Sequence, residues 1–136
     1  MADAVKKVFD LTNTFDVVMA RQHARELART MGFGLTDQTR IATAVSEVAR
    51  RALDSKGQMS FSVVADGVRQ GIECVCLGCQ WMEAPPGVPT GEVLGGLRGI
   101  ERLMDDFESR SQEDGQTVVV MRKWLRLSPS DETDGS

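Results

Sequence analysis

Apolar residues along this chain switch between a helical and an alternating spacing, and the switches mark its elements. Val8-Phe9-Asp10-Leu11 predicts a short opening strand. Asp16 then caps a helix on which Val17, Ala20, Ala24, Leu27, Ala28 and Met31 fall on one stripe, ending near Gly32. After the loop Gly32-Phe33-Gly34-Leu35, Thr36 or Asp37 caps a second helix. Its apolar face is Ile41, Ala44, Val45, Val48, Ala49 and Ala52, and it stops near Asp54, before Gly57. The period then becomes two. Met59, Phe61, Val63 and Ala65 alternate with Ser60 and Ser62, Asp66-Gly67 signals a turn, and Ile72 through Leu77 forms a return strand.

Residues 78–96 break both periods with Trp81, Pro85-Pro86 and glycines at 78, 87, 91, 95 and 96, which predicts a long loop. Leu97, Ile100, Leu103, Met104 and Phe107 mark a third helix, and Asp114-Gly115 turns into a last strand from Thr117 to about Leu127. The order is β-α-α-β-β-loop-α-β-β. This is an α+β fold: a two-layer sandwich with three helices on one face of a mixed, mostly antiparallel sheet. A single domain over 1–127 and an acidic, disordered tail over 128–136 are expected.

Composition narrows the function classes. The chain has 136 residues, a net charge of -4 and 41% hydrophobic residues, enough for one core. Its first 56 residues carry nine Lys/Arg against seven Asp/Glu, whereas residues 57–136 carry seven against thirteen. There is no dense basic stripe and no Tyr, so nucleic-acid binding is not expected. No apolar run approaches the roughly 18 residues of a membrane span, and no secretory signal opens the chain, so a cytoplasmic location is expected. The cysteines are Cys74, Cys76 and Cys79. Cys74 and Cys76 alternate along a strand and read first as core thiols; a redox or metal sensor is the other reading, although His23 is the only histidine and is remote.

Several segments carry a resemblance: Asp16 through Ala28, Met31-Gly32-Phe33, Asp37 through Ala44, Ser46-Glu47-Val48-Ala49-Arg50, Gly96 through Phe107, Asp114 through Val118, and Met121 through Trp124. In this order, over about residues 8–125, the sequence resembles the anti-sigma-factor serine kinases. The match is to the small switch kinases of the RsbT type, within the GHKL (Bergerat-fold) ATPase superfamily. The resemblance implies that superfamily's α/β sandwich, an Mg-ATP site, and phosphorylation of a serine on a small STAS-domain antagonist in a partner-switching pathway.

Position by position, the implied nucleotide site is altered. Glu47 stands where the family's Glu polarises the attacking hydroxyl. Four residues on, the family's Mg-ligating Asn is Arg51, whose guanidinium has donors only and can instead pair with Glu47. A rescue in which Arg51 holds phosphate without Mg is the alternative. The adenine box, Asp-x-Gly-x-Gly in the family, reads Gly78-Cys79-Gln80-Trp81-Met82, so the carboxylate is missing and Gln80 and Met82 replace glycines. The phosphate-covering box reads Glu92-Val93-Leu94-Gly95-Gly96; Gly95 and Gly96 remain, but Glu92 adds negative charge. Gly115 and Thr117 match the last box. This set implies no bound cofactor. If kinase activity survives, ATP and Mg are the cofactors and Glu47 the base.

Two binding features remain. Arg21, Arg25 and Arg29 form a basic stripe at i, i+4 and i+8 on the first helix, with His23 and Glu26 nearby. It is either a solvated face or a dock for an acidic partner. Trp81 is either an interface anchor or a plug in the vacated pocket. The expected function is that of a non-catalytic regulatory protein binding a STAS-domain antagonist or another switch regulator, with a homodimer as a further candidate. No metal site is expected.

Overall fold

In a computed structural model of the chain, residues 6–79, 99–111 and 117–125 are described. The elements are β1 (Lys7–Asp10), α1 (Thr14–Met31), α2 (Leu35–Arg50), β2 (Gln58–Ala65), β3 (Gln70–Cys79), β4 (Asp106–Ser111) and β5 (Thr117–Trp124). A third helical stretch covers residues 99–103. The strands form one sheet in the order β1-β2-β3-β5-β4. Every ladder among the described residues is antiparallel, so the sheet is not mixed as the sequence suggested.

Pleating sorts the side chains. Met59 pairs with Cys76, Phe61 with Cys74, and Cys74 in turn with Met121, so these residues share one face. That face meets Val17, Ala20, Ala24 and Ala28 of α1 and Ile41, Ala44, Val45, Val48 and Ala49 of α2 in a single buried core. Ile100 and Met104 join it from the third helix and its end. The small alanines that both helices contribute to this core allow close packing over the sheet. No helix among the described residues is long and apolar enough to cross a membrane.

Three expectations change at element ends. Asn13, not Asp16, is the cap of α1: its Oδ1 accepts from the Asp16 N–H at 3.1 Å, and Asp16 Oδ2 accepts from the Asn13 N–H at 3.2 Å. Hydrogen bonds from the Thr12 backbone N–H and hydroxyl hold the Asp16 carboxyl below its usual range. α2 starts at Leu35 behind Gly34, with neither Thr36 nor Asp37 as cap; Asp37 instead sits in the first turn, where its charge suits the helix dipole.

The third difference is larger. Phe107 lies not on the third helix but on β4, paired with Met121. Asp105 forces the change: its N–H donates to the Arg122 carbonyl at 3.0 Å and its Oδ2 accepts the Trp124 N–H at 2.8 Å. Both bonds clamp the chain to β5 directly after the helix. The predicted tail, 128–136, lies outside the described residues.

Candidate functional site

The last turns of α2 and the end of β3 meet at one end of the sheet. Glu47 lies on that part of α2, partly exposed, with a guanidinium on each carboxylate oxygen. Arg50 Nη1 is 2.7 Å from Oε2, and Arg51 Nη1 is 4.0 Å from Oε1. The Arg51 pair was legible in the sequence as i, i+4. The closer Arg50 pair was missed, although i, i+3 spacing signals it equally well. Arg51 caps the helix, and its backbone N–H donates to the Val48 carbonyl at 3.1 Å.

β3 approaches this turn through a bulge. The register shifts between Leu77 and Cys79, and Gly78 between them is buried with φ of +84°. Its carbonyl accepts a hydrogen bond from Ser55 Oγ. A Cβ at Gly78 would lie 2.9 Å from Ser55 Oγ and 3.1 Å from the Gly57 Cα. Cys79 is in contact distance of the Val48 carbonyl, at 3.6 Å, and pairs with Thr117 of β5. Gly78 and Thr117 thus meet at Cys79, which touches the Val48 carbonyl of α2, while Glu47 and Arg51 pair with each other on the adjoining turns of that helix. Gln80, Trp81, Met82, Glu92, Gly95, Gly96 and Gly115 lie outside the described residues.

The chemistry of this corner follows from its donors and acceptors. The arginines offer only N–H groups, and Gly78 offers only backbone. Glu47 contributes the acidic oxygens, both beside guanidinium. Among the described residues, no group of three or more His, Cys, Asp or Glu could hold a metal ion.

The α1 stripe is less uniform than its spacing implied. Arg21, Arg25 and Arg29 are exposed, but Arg25 Nη2 donates to Thr39 Oγ1 of α2 at 3.1 Å, and Arg29 forms an ion pair with Glu26. His23 is half-buried in an aromatic cluster; its ring centroid is 5.4 Å from that of Phe9 and 5.3 Å from that of Phe61. Burial and nearby Lys7 lower its pKa.

Sequence reasoning also missed Lys123, which follows Val119 and Met121 on the core face of β5 and is only 4% exposed. Its Nζ donates to the Leu103 carbonyl at 3.1 Å and lies 3.7 Å from carboxylate oxygens of Asp37 and Asp105. It thereby ties the end of the third helix to α2 and β5. Its position in an otherwise apolar alternation was the available signal.

The chain matches no protein-family model. It is 36% identical over 126 residues to the serine/threonine-protein kinase RsbT of Bacillus subtilis (strain 168), covering 82% of this chain and 91% of that relative. Among solved structures, the RsbU and RsbW domains of Rv1364c from Mycobacterium tuberculosis match with a TM-score of 0.62 at 16% identity. That match covers 92% of this chain, which spans 34% of the longer one, and the likeness is one of fold.

Proposed function

The chain belongs to the RsbT family of serine/threonine-protein kinases, and we propose that within it this protein is a non-catalytic switch component, binding and releasing protein partners in a partner-switching pathway. The observation that carries this reading is the Glu47 corner. The residue expected to act as base has guanidinium beside both carboxylate oxygens, and one of these arginines, Arg51, replaces the expected metal ligand. A guanidinium repels Mg and has no lone pair to offer it.

Gly78 supports the same reading. It has no carboxylate for the adenine amino group, and its tight, left-handed setting against Ser55 and Gly57 has no room for one. The residues present do not fit Mg-ATP as the family holds it. A lost charge-assisted hydrogen bond removes about 1.5–3 kcal/mol of binding, and two such losses bring a micromolar ligand into the millimolar range.

The partner we propose is a STAS-domain antagonist, or another regulator of the same switch, meeting the exposed helices. Arg21, Arg25 and Arg29 suit an acidic surface, and the Arg25–Thr39 bond links that stripe to α2.

The test pairs the purified protein with the STAS-domain proteins of its source organism. The expected result is a complex on size exclusion without nucleotide, weakened by reversing Arg21, Arg25 and Arg29 to Glu, and no phosphoserine on the partner after incubation with Mg-ATP. Serine phosphorylation that disappears in Glu47→Gln would establish the alternative, an active kinase with Glu47 as base.

A further inference from the structure

We propose that Cys76 and Cys79 are an oxidisable dithiol that closes to an intrachain disulfide under a small hydroperoxide. In a regular strand, residues three apart point to opposite faces. Cys74 and Cys76 face the core, so an unbroken β3 would turn Cys79 outward. The bulge at Gly78 adds one residue and brings Cys79 back to the core side, where it is 1% exposed. Its sulfur lies 2.9 Å from that of Cys76. A disulfide needs about 2.05 Å, a closure of under an ångström. The juxtaposition depends on a glycine at positive φ and on the Ser55 bond to its carbonyl.

The single proton of Cys79 can serve the Val48 carbonyl or the Cys76 sulfur, not both. Hydrogen bonding with Cys79, reinforced by burial, pushes the Cys76 thiol up, so the thiolate is scarce and oxidation is slow at neutral pH. The step balances with a hydroperoxide as oxidant. One thiolate attacks the terminal peroxide oxygen, the O–O bond breaks, and the departing alkoxide or hydroxide takes up a proton, leaving a sulfenic acid. The second sulfur attacks the sulfenic sulfur, the S–O bond breaks, and the leaving hydroxide takes the second thiol's proton as water. The dithiol loses two electrons and the peroxide gains them.

The experiment treats the folded wild-type protein with hydrogen peroxide, then alkylates it in denaturant and maps the labels by mass spectrometry. The expected product is about 2 Da lighter before labelling, carries its label on Cys74 alone, links the Cys76 and Cys79 peptides, and is restored by dithiothreitol. Cys74→Ala retains the link and Cys79→Ala loses it. Labels on all three cysteines after peroxide has oxidised the methionines, a link to Cys74, a link between chains, or sulfinic acid in place of a disulfide would each overturn the proposal. The wild-type map decides the question even if a variant fails to fold.

Discussion

Replacing Gly78 by Asp puts back the carboxylate that the family resemblance expects, into a place where the backbone leaves no room for it. Gly78 has φ of +84°, a region that costs an L-residue about 1–2 kcal/mol. The new Cβ would stand 2.9 Å from Ser55 Oγ and 3.1 Å from the Gly57 Cα. Ser55 can rotate away, but it then leaves the Gly78 carbonyl and forfeits about 1 kcal/mol. Gly57 is backbone and cannot rotate; relieving that contact adds about 1–2 kcal/mol, as in other overpacked sites. The sum is about 3–5 kcal/mol, a large share of the roughly 5–15 kcal/mol that holds a domain folded. Urea unfolding followed by far-ultraviolet circular dichroism measures it, and a midpoint about 2 M lower with unchanged slope is expected. Gly78→Ala should lose nearly as much, because the conflict begins at Cβ. A Gly78→Asp midpoint equal to that of the wild type would refute the bulge and the argument built on it.

Lys123→Met removes a buried cation from between Asp37 and Asp105 and leaves the Leu103 carbonyl without its donor. Both carboxylates are partly exposed and can rehydrate, so the cost is about 2–4 kcal/mol, below the usual range for breaking a fully buried pair; thermal unfolding reads it, and an unchanged midpoint would contradict the assignment. His23 is the sole histidine, so its ring proton gives one clean NMR titration, with a midpoint below the ordinary value of about 6.5. Because burial, with Lys7, lowers its folded pKa, the stability from neutral His23 is complete above about pH 6.5 and is lost as pH falls through the lowered value; His23→Phe should flatten that part of the stability–pH curve.

The helices were legible because their stripes are long: the predicted faces of α1 and α2 are the ones buried, from Val17 to Ala28 and from Ile41 to Ala49. β4 was present in the predicted order but its start was not legible, because Leu103, Met104 and Phe107 continue a helical spacing; what ends the helix is Asp105 binding β5, a partner distant in sequence. Local capping was misread for a related reason. Asp16 and Asn13 cap reciprocally, and the spacing alone does not say which of the two leads.

At the candidate site, the Arg51–Glu47 pair could be read from its i, i+4 spacing, and the structure adds Arg50 on the other carboxylate oxygen. The bulge at Gly78 could not be read: the residue looked like the start of a loop, whereas β3 runs on to Cys79, and a sequence carries neither a glycine's φ nor its neighbours. The pairing of Cys76 with Cys79 depends on the same bulge and was hidden for the same reason. The cysteine pattern suggested alternation, and only a shifted register brings the third thiol to the second.

If this member of the RsbT family works without nucleotide chemistry, as proposed, isothermal calorimetry with Mg-ATP will read it out. No saturable heat is expected up to about 1 mM nucleotide, with the same silence for ATP alone. A one-to-one isotherm in the micromolar range, dependent on Mg and weakened by Glu47→Gln, would contradict it.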